Sequence, residues 1–195
     1  MSSRGTQARA FRRLPLAAIG LVAVVLAGCG SSGSGSDYGG DHPDYASLEH
    51  APKPLADLYD QAGELLPGGL DAFDARIARL RGHPVVVNAW ASWCGPCREE
   101  FPFFQRAAAG KGERVAFIGV DSQDSSDAAR QFLEEFPVPY PSYQDPDQKI
   151  TNALHATFGL PATVFYDSSG EVAYTKQGPY TSEDELLADI GRYAR

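Results

Sequence analysis

Cys94 and Cys97 are separated by two residues in W-A-S-W-C-G-P-C (residues 90–97), directly after an apolar run. Thiols at this spacing can close a structural bridge, supply part of a metal site, or carry two electrons reversibly. Zinc takes about four ligands, no second cysteine pair exists, and His42, His50, His83 and His155 are scattered. A bridge across two residues constrains little chain. A reversible pair needs one sulfur that ionises and can be reached. The strand and helix patterns flanking the pair place Cys94 at their junction, where unpaired N–H groups and the positive end of the helix dipole favour a thiolate. Cys97 falls one turn further in, less exposed, within reach of the Cys94 sulfur. Cys94 is therefore the expected nucleophile and Cys97 the expected resolving thiol. Gly95 leaves room for an approaching chain, and Pro96 sits near the helix start, where a missing N–H costs little.

The elements that must hold this pair follow from periodicity. Leu55 to Leu66 has helical spacing and ends at Pro67-Gly68-Gly69. Leu70, Phe73, Ile77 and Leu80 recur at intervals of three and four, which predicts an amphipathic helix. V-V-V-N-A-W (Val85–Trp90) reads as a strand covered on both faces. Arg98 to Ala109 reads as a helix that Pro102 should kink, and Arg114 to Asp121 as a second buried strand. The acidic run from Asp121 to Asp127 reads as a strand end and a helix cap rather than a calcium site, with the helix over Ala128–Phe136. Lys149 to Phe158 predicts a short helix. Leu160–Asp167 and Glu171–Gln177 flank D-S-S-G as a hairpin, and Ser182–Tyr193 closes the chain as a helix. This order predicts an α/β fold with a central mixed β-sheet flanked by helices.

Residues 1–28 read as an export signal: Arg4, Arg9, Arg12 and Arg13, no acid, then the apolar Leu14–Ala27. That apolar stretch is shorter than the ~20 residues of a membrane span. Pro15 argues against reading Arg12-Arg13 as a twin-arginine signal. The segment ends in L-A-G-C, which resembles the bacterial lipobox and implies a diacylglycerol on Cys29 and cleavage before it. Residues 29–43, opening with the Gly/Ser run Gly30–Ser36, form a tether, and 44–195 the folded domain. Without the signal, 13 basic residues face 25 acidic ones, a net −12. That balance excludes nucleic acid and electrostatic adhesion to anionic lipid, so acyl chains alone would hold the domain at the extracytoplasmic face of the cell membrane. No cofactor beyond the cysteine pair and no metal is expected.

V-V-V-N-A-W-A-S-W-C-G-P-C-R-E-E-F-P resembles the thioredoxin superfamily, in its extracytoplasmic TlpA/ResA-like branch, over about Leu70–Arg195. The resemblance implies a thioredoxin fold and a membrane-tethered protein thiol–disulfide oxidoreductase, of which some serve cytochrome c maturation. By its match to F-G-L-P-A-T-V-F (Phe158–Phe165), it implies that Pro161 is cis and faces the Cys94–Cys97 disulfide, which would leave the Leu160 backbone free to pair with an extended substrate. Glu100 matches a glutamate that the branch carries three residues after its second cysteine; sharing a helix face with Cys97, it would accept the Cys97 proton if partial burial raised its pKa. Asn88 stands where cytoplasmic thioredoxins carry a buried aspartate, and asparagine cannot titrate. Trp93 is expected on the substrate-facing surface and Trp90 in the core. Implied partners are protein thiols or disulfides and a membrane thiol electron donor or acceptor. The branch points to reduction; oxidation of exported proteins, a thiol peroxidase, and a copper-binding module using Cys94 and Cys97 are the alternatives.

Overall fold

Val85–Trp90 (β2) is the middle of the molecule because nothing in it needs water except Asn88: all six residues are buried. The computed structural model describes residues 43–195, so the expected signal, Cys29 and all but the last residue of the tether lie outside the described residues. A short 3₁₀ turn, Ala46–His50, and a helix α1, Lys53–Tyr59, lead to β1, Leu65–Leu66, and α2, Gly69–Arg79. After β2 come α3 (Gly95–Lys111), β3 (Ala116–Ser122), α4 (Ser126–Glu135), β4 (Ser142–Asp145), α5 (Lys149–Ala153), β5 (Ala162–Tyr166), β6 (Val172–Gln177) and α6 (Glu183–Tyr193). The six strands form one sheet in the order β1-β4-β3-β2-β5-β6. β2 runs parallel to β3 and antiparallel to β5, so the sheet is mixed, as expected.

Alternation along β2 sorts the helices. Trp90 stacks on Phe132 of α4 and meets Phe101 of α3 edge-on, while Phe165, the cross-strand partner of Val86, packs on Tyr193 of α6. These contacts put α3, α4 and α6 on the face carrying Asn88 and Trp90. Phe73 of α2 packs on Tyr143 of β4, a side chain in register with Val120 and Ala89 on the opposite face. Among the described residues, no helix is long and apolar enough to cross a membrane.

Three expectations need correction, and one strand had not been foreseen. The helical pattern over Leu55–Leu66 holds only to Tyr59; Gly63 takes a left-handed φ of 67° and Leu65–Leu66 pair with Ser142–Tyr143 instead. β4 was not legible, because S-Y-Q-D has a single apolar residue and owes its strand conformation to neighbours on both sides. The helix over Lys149–Phe158 stops at Ala153, just before His155 turns to a φ of 54°. The helix expected from Arg98 already begins at Gly95 and continues through Pro102 to Lys111.

Gly119 on β3 shows how tightly Trp90 is seated. The Trp90 indole N–H donates to Ser142 Oγ at 3.2 Å across the strand between them. A Cβ at Gly119 would stand 2.9 Å from both Trp90 Nε1 and Ser142 Cβ, and closer still to Ser142 Oγ. Gly119→Ala should therefore lower unfolding free energy by about 1–3 kcal/mol, read as a drop in the urea midpoint at unchanged slope; an unaltered midpoint would mean the indole is not so confined.

Candidate active site

The chain leaves β2 at Trp90, makes the short loop Ala91–Trp93, and enters α3 with Cys94 as N-cap. Cys94 and Cys97 are joined as a disulfide, with Cα atoms 5.3 Å apart. The backbone N–H of Cys97, one of the first-turn groups without a partner inside the helix, points at Cys94 Sγ at 3.2 Å. That sulfur occupies the place a thiolate would take on reduction, and an amide dipole is already aimed at it. The expected order of burial is present, with Cys97 at 0% exposure. Cys94 is nevertheless only 3% exposed, so its reach is a narrow opening rather than an open face.

The residues expected to face a substrate flank the pair in the chain. Trp93, Gly95 and Pro96 are exposed, Trp93 at 60%. The Leu160–Pro161 peptide bond is cis. Because Ala162 pairs with Ala89, the next rung brings Pro161 beside the end of β2, at the sheet edge from which Cys94 is launched. Leu160 is half-buried, and among the described residues its backbone makes no hydrogen bond. Phe158, two residues earlier, is 88% exposed. The sequence reads it only as the last residue of a short helix, which stops at Ala153, and nothing in the local pattern marks it as exposed.

Glu100 is fully buried one turn after Cys97, unlike its exposed neighbour Glu99. Its Oε1 accepts from Asn88 Nδ2 at 2.9 Å and its Oε2 from the Tyr180 backbone N–H at 2.9 Å. Burial pushes its pKa up to about 7, against the opposing pull of these two donors and of Lys176. Lys176, on β6, holds its ammonium over the Tyr180 ring, and Tyr140 and Tyr180 are further titratable groups near Glu100. Asn88 suits both charge states. Its amide donates to the carboxylate; turned over, it offers its oxygen to the O–H of the protonated acid. The Asn88 oxygen has no other hydrogen-bond partner among the described residues. Aspartate at that position would instead oppose Glu100 with a second buried charge.

The acidic run after β3 does more than end a strand and cap a helix. Ser125 caps α4 by accepting from the Ala128 N–H, as expected. Asp121, however, is 2% exposed, and burial together with nearby Asp124 and Asp145 pushes its pKa up to about 8. Asp124 Oδ2 accepts from the Ser92 N–H at 2.5 Å, and the Trp93 indole donates to the Gln123 carbonyl at 3.0 Å. Only the parallel pairing of β3 with β2, which sets Asp121 opposite Trp90, brings this loop against the residues before Cys94.

Residues 62–190 match the Redoxin family. The chain is 33% identical over 106 residues to the thiol:disulfide interchange protein CycY of Rhizobium leguminosarum, covering 54% of this chain and 55% of that one. It is 33% identical over 144 residues to the thiol:disulfide interchange protein HelX of Rhodobacter capsulatus, covering 70% and 80%. As with other curated relatives, the chain spans about half of CycY. Among solved structures, that of Mycobacterium tuberculosis dsbF in its mixed oxidized and reduced forms superposes with a TM-score of 0.54 at 32% identity, over 58% of this chain and 82% of that one. The fold is thus the thioredoxin fold. A cysteine pair at the N-terminus of α3, a cis proline at the head of β5 and a family match over most of the described residues lead to one conclusion: the chain belongs to the redoxin family.

Proposed function

We propose that the chain is a protein thiol–disulfide oxidoreductase, lipid-anchored through Cys29 at the outer face of the cell membrane, that works as a reductant. The observation that carries the reading is the Cys97 N–H aimed at Cys94 Sγ with a buried acid one turn below. Relatives bearing the name thiol:disulfide interchange protein support it.

In the reducing direction, the Cys94 thiolate attacks one sulfur of a client disulfide and expels the other as a thiolate. A mixed disulfide between Cys94 and the client results. Glu100, ionised, takes the Cys97 proton; the Cys97 thiolate then attacks Cys94 Sγ and releases the client's second thiolate. Two electrons pass to the client, whose thiolates take up two protons, and Cys94–Cys97 is left as the disulfide that a membrane thiol donor must reduce again. No further cofactor is needed. The client segment lies extended across the opening, paired to the free backbone of Leu160, with apolar side chains against Trp93 and Phe158. Two large aromatics this exposed beside a reactive bond fit a docking surface better than a surface that stays in water. Reduction of cysteines destined to bind haem is one such task.

Cys97→Ala, expressed in cells, should accumulate mixed disulfides through Cys94, identifiable by mass spectrometry of the captured proteins. Accumulation in Cys94→Ala instead would reverse the assigned roles. Because Glu100 titrates near 7, the wild-type rate should rise with pH as this carboxyl ionises. Glu100→Gln, which keeps the Tyr180 and Asn88 hydrogen bonds by turning the Asn88 amide, should remove that rise and slow turnover above pH 7 on the order of 10²-fold. An unchanged profile would clear Glu100 of proton transfer. The direction of electron flow is read from the potential: a value near ~−270 mV fits a reductant, and one near ~−120 mV an oxidant.

A further inference from the structure

The loop after β3 touches the active-site loop from the side opposite Pro161, and neither the cysteine chemistry nor Glu100 uses it. Two hydrogen bonds join the loops. Asp124 Oδ2 holds the Ser92 N–H, and the Gln123 carbonyl holds the Trp93 indole. Gln123 presents that carbonyl from a left-handed φ of 56°. Ser92 and Trp93 are the two residues immediately before Cys94. Asp124 is in turn fixed on both sides. Its Oδ1 accepts from the Ser125 N–H at 2.8 Å, and its carboxyl meets that of Asp121 closely enough to hydrogen-bond. Two carboxyls can share a hydrogen bond only if one keeps its proton.

The surroundings favour that proton. Asp121 is enclosed at the end of β3, and its Oδ1 has no hydrogen-bond partner among the described residues. The charged groups facing the pair are acidic: Asp145 comes from β4, its oxygens occupied by the Ile150 and Thr151 N–H groups and the Thr151 hydroxyl. Among the described residues, no lysine or arginine pairs with Asp121, Asp124 or Asp145.

We propose that Asp121 and Asp124, sharing one proton, form a latch that positions Ser92 and Trp93 and so shapes the surface beside Cys94 onto which a client docks. Both are positioning residues; neither touches the reacting sulfurs. With the proton in place, Asp124 is held against Ser92. When it leaves, two carboxylates face each other with no counter-charge, Asp124 turns toward solvent, and the Ser92 and Trp93 contacts loosen. The role in docking rests on the oxidoreductase reading above; the latch itself does not.

The test is a pH series of ¹H–¹⁵N spectra on the full oxidised chain, read at the Ser92 amide and the Trp93 indole N–H. Both resonances should move together with one inflection near pH 8, where Asp121 titrates. Asp121→Asn, whose amide N–H can donate to the Asp124 carboxylate while both Asp124 oxygens keep their backbone donors, should abolish the inflection and leave the low-pH positions in place. Asp124→Ala should shift the Ser92 amide at every pH and speed its hydrogen exchange by about tenfold or more. An inflection that persists in Asp121→Asn, or a Ser92 amide indifferent to Asp124→Ala, overturns the latch. These readouts need no client, so they stand even if the Cys97→Ala trap catches nothing. Where that trap works, Asp124→Ala should raise KM for a protein disulfide about fivefold with kcat little changed, as expected for lost uniform binding; a fall in kcat at constant KM overturns the positioning role.

Discussion

One backbone N–H, that of Cys97, has no carbonyl to meet in its own helix and meets the Cys94 sulfur at 3.2 Å instead. The geometry around it follows from keeping it there. β2 must be buried on both faces so that its end is rigid, Trp90 must be locked between α3 and α4, and α3 must start without a spacer, so that Cys94 is both loop residue and helix cap. An amide aimed at a sulfur is worth most where water is scarce, and both cysteines are nearly covered.

Burial that strengthens this contact also governs the acids nearby. Glu100 and Asp121 lie on one face of the sheet, one a turn beyond Cys97 and one beside the loop before Cys94, and each holds its proton more firmly than an exposed carboxyl. Their partners differ. Glu100 is supported by an amide, a backbone N–H and the distant ammonium of Lys176, so its charge is tolerable near neutral pH. Asp121 faces only other acids, so its proton stays to higher pH. Two carboxyls on one sheet face thus differ in how firmly they hold a proton through their neighbours alone.

The legible parts were those set by local pattern. Val85–Trp90 could only be a doubly covered strand, and the spacing of Leu70, Phe73, Ile77 and Leu80 could only be a helix. Ser125 announces a cap, and its side chain accepts from the N–H three residues on. The match of F-G-L-P to its family implies the cis Leu160–Pro161 bond that the structure has. The misread parts were those whose state depends on a distant neighbour. Leu65–Leu66 and Ser142–Asp145 are strands because each has the other to pair with, and Phe158 stands exposed because the helix it was assigned to stops at Ala153.

The sequence by itself determined the chemistry: two thiols three positions apart at a strand-to-helix junction, an acid one turn on, and a proline to complete the edge. These are properties of spacing, and spacing is written in the chain. Only the tertiary structure decided the electrostatic state of the acids and what surrounds the thiols. Glu100 and Glu99 are the same letter, yet one is enclosed and the other wet; Asp121 and Asp127 belong to one acidic run, yet one is buried beside Trp90 and the other lies in solvent. Desolvation depends on what the sheet and helices bring to a side chain from far along the chain, and no local pattern carries that information.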